Sequence, residues 1–234
     1  QSAFGRTGNL GDAVNNGLGI TAFLLMYWGW RMLRSRRTRR AIPRFLLATA
    51  GVLLAIAWWT PIALLRDERA VQSQFPSLAT FESRMQLSRF YFRECVGELS
   101  SKNVTEGNRS MEVIYQPTPH PAATLVELKA DWSGMKTLEI DVTLDASYPD
   151  SDARFMIKVI DELHQTHHTD TYRGEWTLLR GKTQRISISR NEILNGPDDR
   201  QSDLTKIQYV DLMLLAPVET AKVRFDAMRL TQSR

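Results

Sequence analysis

The chain of 234 residues contains 30 Lys and Arg against 26 Asp and Glu, which gives a net charge of +4 and a sequence pI of about 9.3. The positive charge is concentrated near the N-terminus. Residues 1–65 contain eight arginines and one acid, whereas residues 66–234 contain 22 basic and 25 acidic residues. A nucleic-acid-binding domain should be basic over the folded body that contacts phosphates. The larger part of this chain is mildly acidic, so we expect no nucleic-acid partner.

Two uncharged apolar segments flank an arginine-rich stretch. The first runs for 18 residues from Ala13 and the second for 21 residues from Phe45, and a membrane-spanning helix needs about 20 apolar residues. Seven arginines lie between them, and short arginine-rich loops remain on the cytoplasmic side, where they contact lipid headgroups. These features predict a membrane hairpin over residues 1–65, with transmembrane helices at about 13–33 and 42–65 and a cytoplasmic loop at 31–44.

The rest of the chain alternates apolar and polar residues with a period of two, which is typical of strands with one buried face. The apolar positions of the clearest runs are Met111, Val113, Tyr115, Leu138, Ile140, Val142, Leu144, Phe155, Ile157, Val159, Ile186, Ile188, Val223, Phe225 and Leu230. Eight or so strands with hardly a helix predict an all-β antiparallel sandwich or jelly roll over residues 80–234. Residues 66–79 are then a juxtamembrane stalk.

Several stretches of this region resemble a known family. They are DWSGMKTLEIDV (Asp131–Val142), DLTKIQYVDLMLLAP (203–217) and VRFDAMRL (223–230). They are similar to the galactose-binding-like jelly roll of carbohydrate-binding modules, in the version that is fused behind VanZ-like membrane domains. The resemblance covers about Thr80–Leu230, and it implies a module that contacts cell-envelope glycans.

The N-terminal stretch GRTGNLGDAVNNGLG (residues 5–19) resembles the start of the last helix of VanZ proteins. Asp12, Asn16 and Gly19 follow each other at i, i+4 and i+7, so they share one face of a helix. Small and polar residues on such a face pack membrane helices together. The earlier VanZ helices do not precede Gln1. Either the sequence is a fragment, or this face packs against another integral membrane protein chain.

The resemblance to bacterial envelope proteins implies a location in the bacterial inner membrane. Because the arginine-rich loop lies on the cytoplasmic side, the second apolar segment returns the chain to the opposite side. We therefore expect the C-terminal domain on the periplasmic side.

Candidate ligand contacts lie near a histidine-rich stretch, HQTHHTD. Tyr172, Arg173 and His164 are the candidates for an exposed contact with a glycan or a protein partner, whereas Trp132 and Trp176 are expected in the core. His164, His167, His168 and Asp170 supply enough ligands for zinc in principle. The zinc motifs are missing, however, so a polar loop is the favoured interpretation.

A structural calcium ion is implied by the resemblance alone. Glu82 and Asp226 lie at positions where related sugar-binding jelly rolls hold calcium, and carboxylate oxygens suit that ion. No other cofactor is expected.

The sequence contains no nucleophile elbow, phosphate-binding loop or comparable catalytic motif, so we expect a non-enzymatic protein. Two function classes remain. The favoured one is an accessory subunit, which docks its helices in a larger bacterial membrane complex, such as a photosynthetic or respiratory one, with the sandwich as a periplasmic clamp. The alternative is a VanZ-like envelope protein whose jelly roll binds envelope glycans.

Overall fold

A computed structural model describes residues 10–35, 41–165 and 169–232 of the chain. The chain divides into two compact units, Gln1–Arg66 and Asp67–Arg234. The first unit is helical, and the second consists almost entirely of strands.

The helical unit contains α1 (Leu10–Arg34) and the first part of α2 (Ala41–Gln74). Among the described residues, only α2 is long and apolar enough to cross a membrane, over Ala41–Trp59 with a mean hydropathy of 1.8. In α1, two asparagines and four glycines dilute the apolar surface. The prediction of two transmembrane helices is therefore not confirmed, because α2 alone meets the requirement.

Small residues allow α1 and α2 to approach each other closely. A Cβ atom added to Gly29 would lie 3.0 Å from the Cγ of Leu47 and 3.3 Å from the carbonyl oxygen of Pro43. Ala22 on α1 and Ala50 on α2 are both buried. Close contact at small residues is the usual packing of membrane helices, because it brings two backbones within van der Waals reach.

The second unit is a sandwich of two antiparallel sheets. Its strands are β1 (Ser77–Ala79), β2 (Phe90–Arg93), β3 (Cys95–Ser100), β4 (Ser110–Tyr115), β5 (Ala122–Leu125), β6 (Met135–Leu144), β7 (Asp152–Asp161), β8 (Tyr172–Leu179), β9 (Thr183–Ser189), β10 (Ile207–Leu214) and β11 (Ala221–Gln232). One sheet has the order β3-β4-β11-β6-β9, with β1 also paired to β11, and the other has the order β2-β5-β10-β7-β8. Irregular additions are a 3-10 turn (Arg84–Arg89) and a short helix, α3 (Arg190–Leu194). The predicted all-β antiparallel sandwich is confirmed.

The core lies between the two sheets and follows the alternation of the sequence. All 15 apolar residues that the period-two pattern assigns to buried faces are buried in the structure. The one with a polar group, Tyr115, donates its hydroxyl to the carbonyl oxygen of Leu212 at 2.9 Å, which satisfies a group that would otherwise be costly to bury. Trp132 is also fully buried, in accordance with its expected place in the core.

The boundary of the sandwich unit differs from the predicted one. Residues 66–79 are predicted as a stalk, but the compact unit begins at Asp67, α2 continues to Gln74 and β1 follows directly. The reason is a buried ion pair between Asp67 and Arg89, with Nε and Nη2 of the arginine each 2.7 Å from a carboxylate oxygen. The C-terminal turns of α2 are thereby part of the sandwich unit.

Candidate ligand-binding groove

A groove of about 640 Å³ lies on the five-stranded sheet, on the face that points away from the core. Its lining consists of Arg93, Glu94, Pro119, His120, Met156, Lys158, Arg173, Met213 and Leu215. On β7, Met156 and Lys158 alternate with the core residues Phe155, Ile157 and Val159. Because successive strand residues point to opposite faces, this alternation places the groove on the outer surface.

The floor of the groove is assembled from four neighbouring strands. Arg93 on β2 is the direct neighbour of Ala122 on β5, which in turn opposes Met213 on β10. Met213 opposes Met156 on β7. Opposed residues in an antiparallel sheet share a face and lie about 5 Å apart, so these four side chains form one row with an apolar centre.

A second row, one step along the strands, is mainly polar. From β2 to β8 it contains Tyr91, Thr124, Asp211, Lys158 and Arg173, each opposed to the next. The hydroxyl of Thr124 donates to a carboxylate oxygen of Asp211 at 2.6 Å. Tyr91 is about half exposed, at 49%. Apolar surface beside hydrogen-bonding groups is the usual composition of a small-molecule or oligosaccharide site.

The charge of the groove lining is positive. Arg93, Lys158 and Arg173 contribute three positive charges against the single carboxylate of Glu94. Glu94 accepts a hydrogen bond from the hydroxyl of Thr118 at 2.6 Å. An additional half-buried side chain on this face is Tyr209, whose pKa is raised by burial and, to a smaller extent, by Asp211. Its phenol is therefore neutral and able to donate a hydrogen bond at neutral pH.

The predicted contact residues Tyr172 and Arg173 are separated by the structure. Arg173 is exposed and lines the groove, but Tyr172 lies on the opposite face of β8 and is buried at 6% exposure. Burial also raises the pKa of its phenol. Tyr172 packs so closely against the turn after α3 that a Cβ atom added to Gly196 would lie 2.5 Å from the Cα of Tyr172. The prediction that Tyr172 is an exposed contact is corrected, because neighbouring strand residues cannot share a face.

His164 does not line the groove. It follows β7, and its Nδ1 lies 3.8 Å from a carboxylate oxygen of Asp170. Asp170 in turn binds the guanidinium of Arg200, a hydrogen bond that lowers the pKa of Asp170. His167 and His168 lie outside the described residues. In the part of the chain that the structure describes, no group of three or more His, Cys, Asp or Glu residues could hold a metal ion.

Glu82 and Asp226 both bind the loop between β3 and β4. Their carboxylates accept hydrogen bonds from the backbone amides of that loop and are not arranged around a cation. One carboxylate oxygen of Glu82 accepts the backbone N–H groups of Asn108 at 2.7 Å and Arg109 at 3.1 Å. The hydrogen bond from Asn108 is the main cause that lowers the pKa of Glu82.

Asp226 binds the same loop in the same way. One of its oxygens accepts the N–H groups of Thr105 at 2.6 Å and Glu106 at 3.0 Å. A calcium ion requires six to eight oxygen ligands, whereas here amide hydrogens point at the carboxylates of both residues. As arranged, these residues do not fit a calcium site.

The predicted packing face of Asp12, Asn16 and Gly19 lies on α1. Asn16 is exposed, and a Cβ atom added to Gly19 would have no neighbour within 4 Å among the residues that the structure describes. Asp12 belongs to α1, but its side chain lies outside the described side chains. Within this chain, the close helix contact uses Gly29 instead.

Several groove residues were not predicted from the sequence. Lys158 and Met156 occupy the polar-face positions of a strand whose buried face was recognised, so the alternation itself was a signal. Arg93 and His120 carried no such signal, because a short strand and a loop bring them to the groove. Their position depends on which strands are neighbours.

No protein-family model matches the sequence, and no curated protein matches it. Solved structures do match the sandwich. A family 11 carbohydrate-binding module of the cellulosomal cellulase Lic26A-Cel5E of Clostridium thermocellum aligns with 67% of this chain and 94% of its own, with a TM-score of 0.50 and 17% identity. The family 11 module from the same organism in complex with a β-1,3-1,4-mixed-linked tetrasaccharide has a TM-score of 0.51 and 17% identity, over 67% of this chain and 95% of its own.

An exo-β-agarase has a TM-score of 0.53 and 17% identity, over 68% of this chain. The aligned region is 25% of the agarase chain, so this protein spans about a quarter of that enzyme. No family model supports the resemblance of the helical unit to VanZ proteins. The similarity at 17% identity is a similarity of fold: the second unit has the antiparallel jelly-roll fold of carbohydrate-binding modules.

Proposed function

We propose that the sandwich is a non-catalytic module that binds a glycan chain in the groove of its five-stranded sheet. The observation that carries the proposal is the row of side chains across β2, β5, β10 and β7, which combines an apolar centre with flanking hydrogen-bonding groups. The fold supports it, since the family 11 module of similar fold has been solved in complex with a tetrasaccharide.

The chemistry of the groove suits a sugar. The C–H faces of a pyranose ring pack on apolar and aromatic surface, which Met156 and Tyr91 provide, with the buried Met213 beneath them. The ring hydroxyls need donors and acceptors, which Lys158 and Arg173 provide on the neighbouring strands. Glu94 is the one carboxylate in the described lining, and Asp211 of the neighbouring polar row accepts a hydrogen bond from Thr124, whereas glycoside hydrolysis ordinarily uses two carboxylates that flank the scissile bond. Binding without cleavage is therefore the proposed activity.

The proposal also includes the location. The apolar segment of α2 would anchor the chain in a bacterial inner membrane, with the groove exposed to envelope glycans on the periplasmic side. The arginine-rich residues 31–44 support this orientation, because such loops remain cytoplasmic.

A glycan array tests this function with the full chain in mild detergent. We expect binding that Met156→Ala weakens about tenfold, since the substitution removes apolar contact area from the floor. Leu179→Ala is the matched control, because Leu179 is exposed at 40% on the same sheet but does not line the groove. A blank array, or equal losses in the two variants, would contradict the proposal.

A second candidate function rests on the helical unit. Large apolar side chains of both helices are exposed, among them Phe23 at 62% and Phe45 at 70%, and on the face of Gly19 an added Cβ atom would meet no described residue within 4 Å. We propose as the alternative that this face packs against another membrane protein chain, as in an accessory subunit of a larger complex.

Replacement of Gly19 tests this alternative function. We expect Gly19→Leu to release copurifying chains in mild detergent, at a cost of about 1 kcal/mol, which is typical of a membrane helix contact. Gly17→Leu is the control: it also has nothing within 4 Å, but it lies on roughly the opposite side of the helix. If wild type migrates alone in native electrophoresis, the subunit role is wrong.

A further inference from the structure

We infer that the groove selects an acidic glycan, meaning a polysaccharide whose sugars carry carboxylate or sulfate groups. This inference rests on the proposed glycan-binding function and narrows it to one class of ligand. It is drawn from the arrangement of three cationic side chains, Arg93, Lys158 and Arg173, along the groove.

Lys158 and Arg173 are directly opposed across β7 and β8. Like charges at directly opposed positions repel each other and destabilise a sheet. Neither side chain forms a hydrogen bond or an ion pair with any residue that the structure describes. Asp211, which opposes Lys158 on its other side, accepts a hydrogen bond from Thr124; its carboxylate offsets part of the charge of Lys158 but does not oppose Arg173.

Elsewhere on the same two strands, a cationic side chain has a carboxylate partner. Arg154 on β7 forms an ion pair with Glu175 on β8, with 2.7 Å between Nη2 and Oε2. An ion pair between these two strands is thus possible on this face, whereas Lys158 and Arg173 form none with a residue that the structure describes. An anion from a ligand would relieve the repulsion between Lys158 and Arg173.

Arg93 supplies the third cation at the other side of the sheet. Its guanidinium is held at the groove by a 3.1 Å hydrogen bond to the carbonyl oxygen of His120. β2 and β7 are separated by three strand spacings, which is about 14 Å. A polymer with repeated anionic groups is long enough to extend across all of these strands.

The cationic hydrogen-bond donors of the groove indicate which kind of anion it would bind. A guanidinium binds planar carboxylates and sulfate-like oxyanions with two parallel hydrogen bonds, and such charge-assisted bonds are stronger than neutral ones. The methionine floor between the cations accommodates the sugar ring that carries the anionic group. A neutral glycan would supply no further counter-ion to the opposed side chains of Lys158 and Arg173.

The test compares matched polymers on the full chain in detergent by titration calorimetry. The first pair is polygalacturonate and its fully methyl-esterified form, and the second is dextran sulfate and dextran. We expect at least one acidic member to bind about tenfold more tightly than its neutral partner, with an affinity that falls as salt is added. Preference in the first pair identifies carboxylates, and preference in the second identifies sulfates.

The double variant Lys158→Gln, Arg173→Gln should reduce that preference to about the level of equal binding. Lys182→Gln is the control, because Lys182 is an exposed cation in the turn before β9 and does not line the groove. If the preference survives the double substitution, the acidic polymer binds elsewhere, for example at residues 31–44, and the inference is wrong.

The failures of the two proposals are distinguishable. If wild type binds neutral and acidic members equally, and Met156→Ala weakens both, the groove is a glycan site but the acidic selectivity is refuted. If wild type binds no polymer and the array is blank, both proposals fail.

Discussion

Replacement of Asp67 by alanine is expected to destabilise the sandwich unit by about 3–5 kcal/mol, because it leaves a buried arginine without its counter-ion. Arg89 is completely buried and Asp67 is 7% exposed. The pair is bidentate, and Nη1 of Arg89 also donates to the carbonyl oxygen of Leu78 at 3.2 Å. Without Asp67, the guanidinium retains one backbone acceptor and a full positive charge in a dry environment.

The measurement is urea unfolding of the full chain in mild detergent, followed by tryptophan fluorescence, to which the fully buried Trp132 contributes. Glu175→Ala is the control, because Glu175 forms an ion pair of the same length with Arg154, but both side chains are exposed. Exposed pairs are worth below about 1 kcal/mol. If the free energy of unfolding falls by the same small amount in both variants, the Asp67–Arg89 pair does not stabilise the sandwich unit as the structure indicates.

Replacement of Arg224 by methionine is expected to destabilise the sandwich by a similar amount, about 3–5 kcal/mol. Arg224 on β11 is 4% exposed, and its Nη2 lies 2.5 Å from carboxylate oxygens of both Glu112 and Asp145. Its Nη1 donates to the side chain of Asn103 at 2.8 Å, in the loop between β3 and β4. The variant would leave Glu112 with a poor partner, since the ammonium of Lys222 is 4.0 Å away.

The loss of stability caused by Arg224→Met should depend on pH. Burial raises the pKa of Asp145, but hydrogen bonds from Ser147 and the guanidinium of Arg224 outweigh it and lower the pKa to about 2. A carboxyl whose pKa is lower in the folded state stabilises the fold above its unfolded pKa of about 4, and that contribution is lost as the pH falls toward 2. The difference between wild type and Arg224→Met should therefore shrink over this range.

Unfolding at pH 7 and at several values between pH 4 and pH 2 measures this dependence. Arg154→Met is the control, because its guanidinium is 67% exposed and its removal should change little at any of these values. A difference between wild type and Arg224→Met that stays constant down to pH 2 would show that Asp145 does not contribute through its charge.

The sequence alone determined the class of the second unit and its core. Alternation such as that of Leu138, Ile140, Val142 and Leu144 is a local property of the chain, and the burial of one face follows from it without knowledge of strand order. The same pattern contains the side chains that point outward, so Lys158 and Met156 were predictable as surface residues, though not as members of a groove.

The tertiary structure decided which residues meet. The sequence could not separate Tyr172 from Arg173, because it did not show at which residue β8 begins and which face turns inward. The groove joins side chains from β2, β7, β8 and β10, and the order of these strands depends on pairing between segments that are far apart in the chain. Arg93 and Lys158 therefore share one surface for a reason that no local pattern contains.

The end of α2 is a second feature that the local sequence pattern could not predict. Its apolar segment was evident from composition, but the helix continues past it to Gln74. The polar residues after the apolar segment have the composition of a linker, and the pair with Arg89, 22 residues later, links Asp67 to the sandwich. Local composition thus determined the elements and their buried faces, whereas long-range pairing determined the boundary of the domain and the make-up of its candidate site.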